Sequence, residues 1–267
     1  MVLSISSTAV ASESIASLSE VSEAYGIPMD ILKSLDKETI KSYRTNVANE
    51  KHFSSNESYI KVTIDENNEM HMEESSLSEY LMESQLMKSD TGVSINSSTN
   101  TNRGWINIFT SVFERTATTG RATASFTWLT PPSPRMRAVV GIGLRNGVVI
   151  SNTTSGYYYH TSPDKTYKYT FNASDIGESG GGTTANYRLT TSNYLSEARD
   201  FTFIQVNFMK EGNSEGATAN YAHQKIQISW TPTFAISRDG MFSLSGGISF
   251  LTYYKQTLGG YASISWE

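Results

Sequence analysis

The sequence predicts a mainly β protein: an antiparallel, jelly-roll-like β-sandwich of about ten strands, with a closed barrel as the alternative, preceded by a small acidic α+β segment. Three observations carry this expectation. The 267-residue chain changes character across residues 89–102, a run of Ser, Thr, Asn and Gly with few large apolar side chains. Beyond that run, apolar and polar residues alternate with the period of two that half-buried strands require. Asn-Gly, Asp-Gly and Pro clusters then punctuate the alternation as turns do.

Residues 2–11 are mildly apolar and end in Ala9-Val10-Ala11, a spacing of small residues that signal peptidase accepts. The apolar stretch is short and no basic residue precedes it. Residues 1–11 therefore read as a trimmed export signal with Ala9 and Ala11 as candidate cleavage residues, or as a plain terminus.

Residues 12–88 read as an acidic leader or pro-segment. Pro28 suits the first turn of a helix, Asp30 complements its dipole, and Ile27, Ile31, Leu32 and Leu35 fall on one face. Asp36 is a candidate N-cap for a second helix carrying Ile40 and Tyr43. Ile60, Val62 and Ile64 alternate with polar neighbours, and Asp65-Glu66-Asn67-Asn68 can return the strand through Met70-His71-Met72. Ser76 and Glu79 form a capping box before Leu77, Tyr80, Leu81 and Met87. Such short units bury little alone, so they are loosely ordered or packed on the following domain.

After a linker at 89–103, the β domain spans 104–267. Trp105–Phe109 opens it, and Ala122, Ala124, Phe126 and Trp128 share one strand face. Pro131-Pro132-Ser133-Pro134 forces a corner. Met136, Ala138, Val140, Ile142 and Leu144 alternate with Arg137, Val139, Gly141, Gly143 and Arg145, and Asn146-Gly147 follows as a hairpin signal. Asp239-Gly240 repeats that device. Further strands are expected at 167–171, 201–208, 225–230 and 261–266.

Charge divides as the pattern does. Residues 1–103 hold 8 basic and 16 acidic side chains, a net of −8, and the remainder holds 13 and 10, a net of +3. Neither part has the basic stripe that nucleic-acid binding needs. The chain has no cysteine, which excludes disulfides and thiol chemistry, and no apolar run long enough for a transmembrane helix. A cysteine-free exported protein fits a bacterial exterior better than a eukaryotic one, with the cytoplasm as the alternative location.

No nucleophile-elbow, zinc-protease or phosphate-loop pattern occurs, and His160 and His223 are too distant in sequence to suggest a metal pair. No cofactor is expected. Glu114 is the carboxylate to watch at a strand-like position, because a glycan hydrolase needs two inward acids about 5–9 Å apart. The tyrosines are more suggestive. Tyr157, Tyr158 and Tyr159 are consecutive, and Tyr167 and Tyr169 follow closely. Neighbouring strand residues point to opposite faces, so Tyr157, Tyr159, Tyr167 and Tyr169 are candidates for stacking on a sugar ring. The alternative is that tyrosine simply favours strands and caps a core edge.

Two stretches resemble recurrent pieces of uncharacterised secreted β-rich proteins of Gram-positive bacteria. One is Tyr25-Gly26-Ile27-Pro28-Met29-Asp30-Ile31-Leu32 with Leu35-Asp36-Lys37-Glu38-Thr39-Ile40. The other is Phe126-Thr127-Trp128-Leu129-Thr130-Pro131-Pro132-Ser133, leading into residues 135–143. The resemblance implies export and a cysteine-free β fold, and no activity. The sequence thus supports a secreted non-enzymatic binder of a cell-wall glycan or surface protein. A membrane-acting protein restrained by its acidic leader is the second reading, and a glycan hydrolase the third.

Overall fold

Alternation resolves into two antiparallel sheets packed face to face, with helices laid across the outer face of one. The computed structural model describes residues 15–50, 53–65, 70–89, 103–129, 135–192, 198–224, 233–244, 254–256 and 261–265. In chain order, α1 (Leu18–Tyr25), α2 (Met29–Ser34) and α3 (Lys37–Asn49) precede β1 (Phe53–Ile64), β2 (Met70–Ser75) and α4 (Leu77–Ser89). Then come β3 (Arg103–Glu114), β4 (Thr119–Trp128), β5 (Arg137–Arg145), β6 (Gly147–Val149), β7 (Ser155–Ser162) and β8 (Lys165–Thr170). β9 (Ile176–Ser179), β10 (Gly182–Arg188), β11 (Arg199–Lys210) and β12 (Ser214–Gln224) follow. The last are β13 (Phe234–Ile236), β14 (Phe242–Leu244), β15 (Tyr254–Gln256) and β16 (Tyr261–Ser265).

The first sheet runs β2-β1-β3-β4-β11-β7-β8, with β6 also paired to β11. The second runs β15-β12-β5-β10-β9, with β16 on β12. Ile106, Ile108, Val112, Ala122, Phe126, Val206 and Phe208 of the first sheet meet Ala138, Val140, Ile142, Leu144, Ala217 and Tyr221 of the second in one dry core. Each large side chain buried there contributes about 1.5–3 kcal/mol. None of the described helices is long and apolar enough to cross a membrane.

Two expectations change, and one alternative is met. Of the two alternatives for the acidic segment, β1 takes the packed one: it pairs with β3 over eleven residues, Phe53 opposite Phe113 through Thr63 opposite Arg103. Ile60 and Val62 thereby enter the same core as Ile106 and Ile108. Asn146-Gly147 does not make a hairpin. Asn146 takes the left-handed conformation (φ 62°), but the chain crosses between sheets, and β6 pairs with β11 rather than β5. Gly147 lies against Glu215, and a Cβ there would come within 2.9 Å of its carboxylate. The strands also outnumber the expected ten, since several are three-residue pieces too short to show alternation.

The second glycine turn does close a hairpin. Gly240 (φ 81°) joins β13 to β14, which lie on the outer face of the second sheet through Val139, Ala222, Phe234, Ile236, Phe242 and Leu244. Gly141 and Gly143 leave that face bare enough for the hairpin's close approach. The candidate cleavage residues Ala9 and Ala11, the linker through residue 102, the proline corner and the strand expected at 225–230 lie outside the described residues.

Candidate functional site

The outer face of the first sheet is polar and aromatic rather than aliphatic, and α1–α3 sit on it. Their buried residues Tyr25, Ile27, Ile31, Leu32 and Tyr43 pack on Phe113, Tyr157, Phe201 and Phe203. Tyr25 meets Phe113 edge-on at 5.3 Å, and Tyr43 lies 5.5 Å from Phe203. The ends of α1 are tied to the sheet's hydroxyls. Ser111 donates to the Ala24 carbonyl (2.7 Å) and Ser125 to the Gly26 carbonyl (2.8 Å), satisfying acceptors that a helix C-terminus leaves open. Gly26 ends α1 in the left-handed conformation (φ 62°), and a Cβ there would strike the Phe109 ring.

Charged contacts pin α3 at both ends. At its start, Asp36 accepts from the Thr39 backbone N–H (2.8 Å) and hydroxyl (2.7 Å), which hold its carboxyl at about 2, and it faces Lys168 Nζ at 3.5 Å. At its end, buried Glu50 lies 3.0 Å from Arg121 Nη1, which also donates to the Tyr25 hydroxyl (2.9 Å). Burial pushes the Glu50 carboxyl up to about 7 against the opposing pull of Arg121 and Arg115.

Packing between α3 and the sheet is incomplete. A groove of about 470 Å³ separates Asp36, Thr39, Ser42 and Tyr43 on the helix side from Ser155, Tyr157, Lys168, Thr170 and Gln205 on the strand side. Two of its lining residues carry a buried polar atom with no hydrogen-bond partner, the Tyr157 hydroxyl and Gln205 Oε1. Gln205 is held in place by its amide N–H, which donates to Ser155 Oγ at 2.9 Å. Lys168 Nζ stands 5.3 Å from the centre of the Tyr157 ring. Buried polar groups are normally paired, so these two stand out among the residues that line the groove.

Of the sequence candidates, only part of the set comes together here. Tyr157 does face outward from the sheet, but the helices cover it to 3% exposure, so its ring is closed to a sugar in this conformation. Burial pushes its phenol well above the ordinary range. Tyr159 is half-buried beside the same cluster and opposite Lys168 in register. Tyr167 is exposed but belongs to the other face of β8, with its ring 6.3 Å from that of Tyr158. Tyr169 is half-buried, and its hydroxyl donates to Asp175 (2.7 Å). Gln205, Ser155, Lys168 and Thr170 were not singled out by sequence, because only strand pairing and the placement of α3 bring them to one groove.

The interior holds a second polar cluster, at one end of the sandwich. Asp200, 1% exposed, accepts from both Nη atoms of Arg135, from the Tyr158 hydroxyl (2.5 Å) and from His160 Nδ1 (2.9 Å). Burial alone would raise the Asp200 carboxyl, but Arg135, His160 and Tyr158 overrule it and hold it below the ordinary carboxylate range. The other buried inward carboxylate, Glu215, lies beside Gly147, which pairs with the far end of β11 at Lys210. Ten residues of strand separate the two acids, roughly 30 Å, where a two-carboxylate hydrolase needs about 5–9 Å. Glu114 is paired with Lys210 at 2.7 Å. Among the described residues no three His, Asp or Glu side chains are grouped to hold a metal ion.

No protein-family model and no curated protein matches the chain. Among solved structures, it is similar to the pilus backbone RrgB of Streptococcus pneumoniae, at 11% identity over 43% of this chain and 27% of that one, with a TM-score of 0.29. The chain thus spans about a quarter of that protein's length. It is also similar to the KRT10-binding region domain of the pneumococcal serine-rich repeat protein PsrP, at 12% identity over 78% of this chain and 99% of that one, TM-score 0.30. A third is the collagen-binding domain of the Erysipelothrix rhusiopathiae surface protein RspB, at 6% identity over 60% and 64%, TM-score 0.25. Scores this low fall short of a shared fold, so the functional reading rests on the groove itself.

Proposed function

We propose that this chain is a non-enzymatic binding module that acts outside the cell or at its surface and takes a cell-wall glycan in the groove between α3 and β8. The observation that carries the reading is the pair of buried, unpartnered atoms on residues that line that groove, Tyr157 Oη and Gln205 Oε1. Gln205 Oε1 can only accept, and a glycan is a chain of hydroxyl donors. The groove's volume is in the range that small ligands occupy, and Thr39, Ser42, Ser155 and Thr170 supply further hydroxyls along its walls. Asp36 and Glu38 against the single Lys168 disfavour a strongly anionic ligand. Export is supported by the small-residue spacing at Ala9 and Ala11 and by the absence of cysteine.

The test is retention on purified bacterial cell walls and on their released glycans. Gln205→Ala and Lys168→Ala should each reduce retention about tenfold, the worth of one hydrogen bond to a buried or charged group. Variants retained as well as the wild type would refute the groove. Retention that needs cell-surface protein rather than glycan would replace the ligand with a protein partner.

A further inference from the structure

The groove has one wall built unlike the rest. Of the thirteen residues of α3 only Tyr43 is buried, whereas α1 buries Val21, Ala24 and Tyr25 in eight residues and α2 buries Ile31 and Leu32 in six. Ile27 and Leu35, in the connections on either side of α2, are buried too. The first two helices are therefore fixed to the sheet, while α3 inserts one fully buried ring and only partly covers Ile40, Val47 and Ala48 against the same cluster. Its polar holds are Asp36 with Lys168, Glu50 with Arg121, and the Ala16–Arg44 pair of hydrogen bonds that ties it to the residues before α1. The unfilled volume and both unpartnered atoms lie on the sheet side of this same helix.

We infer that α3 is a movable wall, and that a glycan chain is bound by displacement of α3 from the sheet, which uncovers the ring face of Tyr157. This rests on the glycan reading above and deepens it by naming the stacking surface. In the closed form Tyr157 is 3% exposed, in the cluster that includes Tyr43 of α3, and it lines the groove opposite that helix. With α3 lifted, the ring faces the groove with Gln205 and Lys168 beside it, a flat apolar face flanked by hydrogen-bonding groups as a sugar ring requires. Lys168 loses Asp36 in this movement, and Asp36 keeps its two bonds from Thr39, so the helix start stays capped. Moving α3 relative to α1 must also part Ala16 from Arg44, whose backbone N–H···O contact is 3.2 Å.

That last contact offers a test away from the groove. Ala16→Cys with Arg44→Cys places two thiols at positions whose backbones already touch, within reach of a disulfide. The chain has no other cysteine, so reductant acts on this bond alone. The reduced variant should be retained on cell-wall glycan as the wild type is, and the oxidised variant at least tenfold less, with its thermal unfolding midpoint no lower than that of the reduced form. Equal retention in both redox states, with the wild type retained, would overturn the movable wall and leave the groove standing. A wild type that is not retained on glycan removes the ligand, and this inference falls with it.

Discussion

Glu215 gives the sharpest quantitative test of how the sandwich is packed. It is 1% exposed, neither carboxylate oxygen has a hydrogen-bond partner of good geometry, and Gly147 lies against it where any Cβ would come within 2.9 Å. Burial pushes its carboxyl from an ordinary 4.5 up to about 8, against the opposing pull of the Gly216 backbone N–H and of Arg238. Folding therefore holds a proton that the unfolded chain releases above about 4.5. This group's contribution is most favourable below that pH and is lost as pH rises towards 8. The full window is worth about 4–5 kcal/mol, of which about 3 is already lost by pH 7 and little by pH 5. Glu215→Gln keeps the shape but cannot ionise. It should carry a pH-independent cost of about 1–3 kcal/mol for a buried, unpaired amide, while losing the pH dependence. Urea unfolding at pH 5, 6, 7 and 8 reads both quantities. The wild type should lose about 3–4 kcal/mol more than the variant between pH 5 and 8. Parallel profiles would refute the assignment of a neutral, buried acid at this position.

Other outcomes follow from the same contacts. Asp200→Asn leaves Arg135 buried beside a neutral amide and should cost about 3–5 kcal/mol in urea unfolding at neutral pH. Because the folded Asp200 carboxyl is held low, the wild type loses this advantage as pH falls below about 4, so the two proteins should converge in acid. Gly26→Ala forces a side chain into the left-handed conformation and against Phe109; it should cost at least about 1–2 kcal/mol and speed amide exchange across α1 before the sheet. A variant that exchanges no faster than wild type would mean that α1 is anchored without its cap.

Much of the fold is legible in the chain because strand parity is local. The alternation from Met136 to Leu144 places Ala138, Val140, Ile142 and Leu144 in the core as expected, and Asp36 caps α3 as its position predicts. α1 carries a full capping box in Ser17 and Glu20, but its eight residues are too few to show periodicity. Asn146-Gly147 misled because turn chemistry specifies a sharp reversal and not which strand comes next. The site fails to show for a related reason. Parity correctly sends Tyr157 and Tyr159 to the outer face, but it cannot say that residues more than a hundred positions earlier will fold back over them. Gln205 and Lys168 join the groove through strand pairings that no local pattern encodes.

β11 occupies the middle of the first sheet, between β4 and β7, yet it is made long after both. A chain emerging N-terminus first holds that sheet as two separate halves, β2-β1-β3-β4 and β7-β8, until residues near 210 are available to join them. The seat of α1–α3 includes Phe201 and Phe203, so the earliest helices have no complete surface to fold on until the same moment. Order in this protein is thus a late, non-local event, the topology that folds slowly. A destabilised β11 should therefore unseat the helices and part the two halves of the sheet together.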